Sequence, residues 1–423
     1  MNLLVAVTAT AALTGLLVII ALNFVTAERR LNRPPPRWYG STDADFRRST
    51  GVLLGPAILP GNSIQQLVNG DEIFPPMLAA IDGAQRSICF ETFIYWSGEI
   101  GDRFSDSFER AARRGVRVHI LFDWLGTRQM HAGLQQRLRA SGIEVQIYHP
   151  LSWYHIGRLK NRTHRRLLVV DGSTGFTGGV GIAPQWTGNA QDADHWRDSH
   201  FRVTGPVVAQ MQAVFLDNWI KSTGAVLHGE NYFPALHSTG DTDAQMFGSS
   251  ATGGSDSMHL MFMLAITSAR RSIDIVNAYF VPDDLTMASL VSAQRRGVKV
   301  RVLLPGPHMD VPIVRQASHA NLDELLTAGV EMYEFMPTML HCKAMVVDRS
   351  WVTVGSANFD NRSFRLNDEA NLNAFSEPLA LQLTELFEAD LARSRRFVRR
   401  KWRQRSYAKQ TLEWLASRLD SQL

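Results

Sequence analysis

Hydrophobic and polar positions fall into three regimes along the chain. From Asn2 to Ala27 no side chain is charged and nearly all are apolar, more than the roughly 20 residues a helix needs to cross a bilayer. Arg29, Arg30, Arg33 and Arg37 follow, with Pro34 to Pro36 as a stiff spacer. This predicts a retained transmembrane anchor over residues 1–28 and a juxtamembrane linker over 29–58, and the arginines place the downstream body on the cytoplasmic side. A cleaved signal peptide fits less well, because no basic residue precedes the apolar run.

The second regime alternates between strand and helix periods. Arg86 to Trp96 (RSICFETFIYW) predicts a strand, and Glu99 to Arg114 a helix with Ile100, Phe104 and Phe108 on one face, stopped by Gly115. Val116 to Asp123 predicts a strand, Gln129 to Ser141 a helix ended by Gly142, and Ile143 to Tyr148 another strand. The order returns as RSIDIVNAYFV at Arg271, a helix around Leu285 to Arg296, and VKVRVLLP at Val298. RRGVRV at Arg113 matches RRGVKV at Arg295, and SGIEV at Ser141 matches AGVEM at Ala328. The pattern predicts an α/β fold of two duplicated halves, each a mixed sheet flanked by helices, about a pseudo-twofold axis. The halves are expected over 59–237 and 258–392, with a Gly/Ser-rich linker over 238–257.

In the third regime, residues 393–423, Arg393, Arg395, Arg396, Arg399, Arg400, Lys401, Arg403, Arg405 and Lys409 crowd around Phe397, Trp402 and Tyr407. Leu412, Leu415 and Leu419 follow at helical spacing with Trp414 beside them. Such a segment reads as an amphipathic helix on an anionic membrane surface, or as a solvated helix packed on the body.

Composition changes this picture little. The chain has 423 residues and a net charge of +4, with a pI near 9.2, which favours an anionic partner without choosing lipid or nucleic acid. Its two cysteines, Cys89 and Cys342, build neither a zinc site nor a disulfide framework. His119, His131, His149, His155, His195, His200, His308 and His319 stand in no motif and read as surface or packing residues.

Chemistry concentrates in His341 to Asn358, HCKAMVVDRSWVTVGSAN. On a strand His341 and Lys343 share a face while Cys342 points the other way, and a return strand would bring Ser356 and Asn358 back to the same edge. An imidazole, an ammonium and fixed donors in one place suit a phosphoryl centre. A degenerate copy starts at His164, HRRLLVVDGSTGFTGGVG, with Arg166 in the lysine position, Asp171 matching Asp348, and Gly179 and Gly181 in place of serine and asparagine. Arginine keeps the charge and suits phosphate.

The intact copy resembles the HxKxxxxDxxxxxxGSxxN motif of the phospholipase D superfamily at every specified position. VNGDEIFPPMLAAI at Val68, ETFIYWSGEIGDRF at Glu91, AYFVPDDL at Ala278 and GSANFDNRSFRLNDE at Gly355 are similar to bacterial cardiolipin synthases, from about Leu59 to the C-terminus. The resemblance implies a phosphatidyltransferase that uses phosphatidylglycerol, with neither cofactor nor metal, through a phosphatidyl-histidine. It implies His164, Arg166, Asp171, His341, Lys343 and Asp348 as the catalytic set, with His164 as nucleophile by analogy. Lys343, Asn358 and Arg166 would hold the phosphoryl oxygens, and Ser356 would be a further donor. Trp196-Arg197-Asp198 and Asn367-Asp368-Glu369 also match, so Glu369 is expected on the far nitrogen of His341 and Asp198 on that of His164. The implied location is the bacterial inner membrane, single-pass, and no nucleic-acid partner is expected. A phospholipase D-type hydrolase and a catalytically impaired membrane adaptor are the alternatives, the latter because of Arg166 and Gly181.

Overall fold

The computed structural model describes residues 2–22, 31–150, 161–250, 257–320, 322–406, 411 and 413–416. The strands are β1 (Leu59–Val68), β2 (Ser87–Thr92), β3 (Arg117–Asp123), β4 (Glu144–Tyr148), β5 (Leu167–Val170), β6 (Thr174–Gly178) and β7 (Ser199–Thr204). They continue with β8 (Thr242–Ser249), β9 (Ser272–Asn277), β10 (Phe280–Val281), β11 (Lys299–Pro305), β12 (Glu331–Phe335) and β13 (Lys343–Val347). Last come β14 (Trp351–Gly355), β15 (Phe359–Asp360), β16 (Glu369–Phe375) and β17 (Ser394–Arg396).

All but β10 and β15 join one mixed sheet, in the order β17-β12-β11-β9-β13-β14-β16-β8-β1-β7-β6-β5-β2-β3-β4. From the β8–β1 seam outward the two sides have the same construction. Antiparallel strands lie inside (β7-β6-β5-β2 and β16-β14-β13-β9), and a parallel segment lies outside (β2-β3-β4 and β9-β11-β12). Strands buried on both faces read as continuous apolar runs, and β2, β5 and β14 are buried at every residue. Helices Asn69–Gly83 and Glu99–Arg113 cover the first side, with Phe74, Phe104 and Phe108 in its core. Ser257–Ser268 and Asp284–Arg295 do the same for the second. Val208–Thr223 and Glu377–Ala392 pack a core shared across the seam, where Phe215, Val354 and Leu383 meet.

Several expectations shift. The stretch read as a linker over 238–257 carries β8, which pairs with β16 from Asp243 to Ser249. Its buried run of Ala244, Gln245, Met246 and Phe247 is short and is hidden in the sequence by the glycines and serines around it. The 29–58 linker contains a helix, Ala44–Leu54, that buries Phe46 against Trp351. The tail starts as part of the body, because β17 pairs with β12 and Arg395 answers the buried Glu334 carboxylate. Trp402 is buried against His319. Tyr407, Lys409, Leu412 and Leu419 lie outside the described residues. Asn2–Leu22 is helical, but among the described residues no helix is long and apolar enough to cross a membrane, and 23–30 lie outside them.

Candidate active site

The two histidines enter the sheet at the same edge, each just ahead of an apolar strand. The chain before each one pairs with the opposite half. His164 N–H donates to Asp368 O (2.9 Å) and Asp368 N–H to Arg162 O (2.9 Å), while His341 N–H donates to Arg197 O (2.8 Å) and Arg197 N–H to Met339 O (2.9 Å). Each of these reciprocal bridges is parallel.

The bridges cross the carboxylates over. His164 Nδ1 meets Glu369 Oε1 at 3.0 Å, and His341 Nδ1 meets Asp198 Oδ2 at 2.8 Å. The expected same-half pairing, Glu369 with His341 and Asp198 with His164, is therefore replaced by pairing between halves. Within a half, the strand β14 separates β13 from β16, whereas the bridge sets Asp368 directly beside Thr163.

Each carboxylate is held by further donors. Glu369 accepts from Ser356 Oγ, and from Ser363 Oγ at 2.7 Å. Asp198 accepts from Trp186 Nε1 (2.9 Å) and Ser199 N–H (2.8 Å). Trp186 lies as far past Gly179 as Ser363 lies past Ser356, so the indole takes over a serine's task. This also accounts for the two glycines. A Cβ at Gly179 would sit 2.2 Å from Asp198 Oδ1, and one at Gly181 would sit 2.9 Å from Ile94 Cβ and 3.1 Å from the Trp186 ring. Trp186 fills the space an asparagine would need and packs edge-on to His341, with ring centres 5.2 Å apart. Ser356, expected as a donor to substrate, serves Glu369 instead.

A cation lies against each imidazole. Arg166 Nη2 is 3.0 Å from His164 Nε2, and Lys343 Nζ is 3.1 Å from both ring nitrogens of His341 and 2.6 Å from His341 O. Burial, then the neighbouring Arg166, lowers His164 to about 4 against the pull of Glu369. Burial, then Lys343, lowers His341 to about 3 against the pull of Asp198. Both rings are thus neutral near pH 7, with Nδ1–H directed to a carboxylate and the Nε2 lone pair facing a cation, Arg166 for His164 and Lys343 for His341. Burial opposes ionisation of Glu369 and Asp198, but the facing histidines and their hydrogen bonds outweigh it and hold both carboxyls below their ordinary values. Burial drops Lys343 to about 7 despite Asp198. The charges of the two halves overlap, since Lys343 acts on His164 and Arg166 on His341. Among the described residues, Arg166 Nε and Asn358 Oδ1 are buried without a hydrogen-bond partner.

Asp171 and Asp348 lie at the other end of their strands. Asp348 is separated from Lys343 by the length of β13, about 16 Å at the usual strand rise. It accepts the N–H groups of Arg270 (2.9 Å), Arg271 (2.6 Å) and Ser272 (3.0 Å) and the Ser41 hydroxyl (2.6 Å). Asp171 accepts those of Gln85 (3.0 Å), Arg86 (2.7 Å) and Ser87 (3.0 Å). Both sit at positive φ and tie the strand turn to the start of β2 or β9, out of reach of a phosphorus between the histidines. Cys342 is buried, and burial pushes its thiol up to about 12 against the pull of Arg197. Among the described residues no group of three or more His, Cys, Asp or Glu side chains is placed to hold a metal ion.

The sequence reading missed Trp186, Ser363 and Phe93, whose ring lies 5.3 Å from that of His164. Extending the alignment of the two copies past Gly181 and Asn358 would have matched Trp186 with Ser363.

Comparison with known proteins identifies the family. A family model described as cardiolipin synthase, PLD-like domain matches residues 77–219 and again 263–391. Cardiolipin synthase A of Pseudomonas fluorescens is 33% identical over 347 residues, 82% of this chain and 72% of that protein. Cardiolipin synthase 1 of Bacillus cereus is 32% identical over 356 residues, 82% and 70% of the respective chains. Among solved structures, the phosphatidylserine synthase of Haemophilus influenzae superposes with a TM-score of 0.68 at 12% identity, covering 90% of this chain and 98% of that one, which shows a shared fold. The chain belongs to the cardiolipin synthase family of phospholipase D-like proteins.

Proposed function

We propose that the chain, a phosphatidyltransferase by family, makes cardiolipin from two molecules of phosphatidylglycerol with release of glycerol. The observation that carries this reading is the pair of crossed imidazole–carboxylate contacts, each with a cation against the imidazole. His164 Nε2 attacks phosphorus, a P–N bond forms and the P–O bond to glycerol breaks. His341, protonated once the anionic phosphodiester sits beside it, gives its proton to the departing glycerol oxygen. Now neutral, it takes the proton of a hydroxyl on the second phosphatidylglycerol, whose oxygen attacks phosphorus as the P–N bond breaks. Arg166, Lys343 and Asn358 hold the non-bridging oxygens.

The resemblance assigns the nucleophile to His164, and the fixed Nδ1–H of both rings suits either to attack. The adaptor alternative rested on Arg166 and Gly181; Arg166 still reaches His164 Nε2 at 3.0 Å, and Trp186 packs into the space beside Gly181. Residues 1–28 are a single-pass anchor in the bacterial inner membrane with the body on the cytoplasmic side, supported by the uncharged stretch and the arginines after it. The halves arose by duplication, supported by the matched strings and the common strand order.

The test is purified protein with phosphatidylglycerol labelled in its acyl chains, beside a His341→Ala control. Cardiolipin formed by the wild type alone supports the reading. Phosphatidic acid as sole product makes the protein a hydrolase, and no turnover of any phospholipid returns it to the adaptor class.

A further inference from the structure

Tyr279 and Asp310 stand at the edge of the site and take no part in the transfer just described. β9 pairs with β13 so that Asn277 is the register partner of Lys343. Asn277 Oδ1 accepts the N–H of Tyr279 (3.2 Å), fixing the tyrosine just beyond Lys343 on the edge that holds the histidines. β11 is the next strand outward, and the loop leaving it turns Asp310 back so that Tyr279 Oη donates to Asp310 Oδ2 at 2.7 Å. Asp310 Oδ1 accepts only the N–H of its neighbour Val311, at 2.9 Å, among the hydrogen bonds described. Met309 and Met339 wall the pair together with Trp196, and the Trp196 ring lies 5.5 Å from that of His341. Asp310 lies in the field of Lys343, and Tyr279 in that of Arg166.

A carboxylate in the field of Lys343 weakens the hold of that cation on a phosphodiester. A carboxylate with one oxygen pinned by a phenol keeps lone pairs for further donors, and the donors a glycerol headgroup brings are hydroxyls. The opposite wall lacks this feature. Aligning Arg86-Ser87-Ile88 with Arg271-Ser272-Ile273 puts Ile94 where Tyr279 stands, and Phe93 beside it faces His164. The polar wall therefore belongs to the His341 side alone, where the acceptor hydroxyl loses its proton.

We propose that Asp310, oriented by Tyr279, forms a subsite for a vicinal diol: it accepts a hydrogen bond from the hydroxyl next to the one that attacks phosphorus, and so favours glycerol-type acceptors over simple alcohols and water. This rests on the transfer reaction proposed above. The test is a partition ratio, which depends neither on how much enzyme is folded nor on how fast the donor reacts. Purified protein is given labelled phosphatidylglycerol with equal concentrations of propane-1,2-diol and propan-1-ol, and the two phosphatidyl-alcohols are counted. The wild type is expected to favour the diol by about ten-fold, the discrimination one hydrogen bond to a charged group confers. Asp310→Ala is expected to bring the ratio near one, and Tyr279→Phe to lower it in the same direction. Equal use of both alcohols by the wild type, or a ratio unchanged in both variants, overturns the subsite. A wild type that transfers to neither alcohol and makes no cardiolipin overturns the transferase reading, and the subsite falls with it.

Discussion

Replacing each crossed carboxylate by its amide separates the two halves of the site by a difference that their hydrogen bonds dictate. Glu369 is served by the hydroxyls of Ser356 and Ser363, which rotate and can accept as well as donate. Glu369→Gln keeps an acceptor for His164 Nδ1–H, turns its NH2 toward a serine and loses only the charge. The loss of a charged hydrogen bond is about 1.5–3 kcal/mol, or roughly 10- to 100-fold in rate. Asp198 is served by Trp186 Nε1–H and Ser199 N–H, and neither can accept. The NH2 of Asp198→Asn must face one of them or the His341 N–H, leaving buried donors opposed at a further cost of about 1–3 kcal/mol. The rate should fall on the order of 100- to 10,000-fold. The assay is the initial rate of cardiolipin formation at pH 7, normalised to folded protein by circular dichroism. Glu369→Gln as damaging as Asp198→Asn, or full activity in either, would refute this reasoning.

Other predictions follow from the same contacts. Restoring the family's usual residues to the first half should do harm: Gly179→Ser drives a Cβ into Asp198 and Gly181→Asn one into Ile94, each costing about 1–3 kcal/mol by overpacking, seen as a lower melting temperature and a slower rate. Asp348→Ala removes the acceptor of several backbone N–H groups, so the melting temperature should fall while KM of the folded enzyme stays near wild type. Lys343, lowered by burial to about 7, is charged below that pH and loses its charge as pH rises through it. KM for phosphatidylglycerol should therefore climb above pH 7, and Lys343→Arg, charged throughout, should flatten that climb in a KM-versus-pH series.

Much of the fold was legible because its strands carry long apolar runs and its helices clear stripes. Glu99–Arg113 and Asp284–Arg295 fall within a residue of the ranges their periodicity predicts. The histidines, Lys343 and Arg166 were legible because alternation along a strand sets which side chains share a face. The partner of each histidine was not, since it depends on bridges between segments far apart in the chain, Thr163 with Asp368 and Arg197 with Leu340. β8 escaped notice because Gly248 and the serines around it read as linker, although the strand sits at the seam. Trp186 stands in none of the motifs, and its value as a hydrogen-bond donor appears only once the fold brings it to Asp198.

The most direct test of a single centre made from both halves is a single turnover with phosphorus-labelled phosphatidylglycerol. The reaction is quenched in base, where a phosphoramidate survives, and the peptides are mapped. Label on the His164 peptide, trapped in His341→Ala protein if it still reacts and absent from His164→Ala, is the predicted result. Cardiolipin formed at the wild-type rate by His164→Ala, with no label on either histidine, would contradict it.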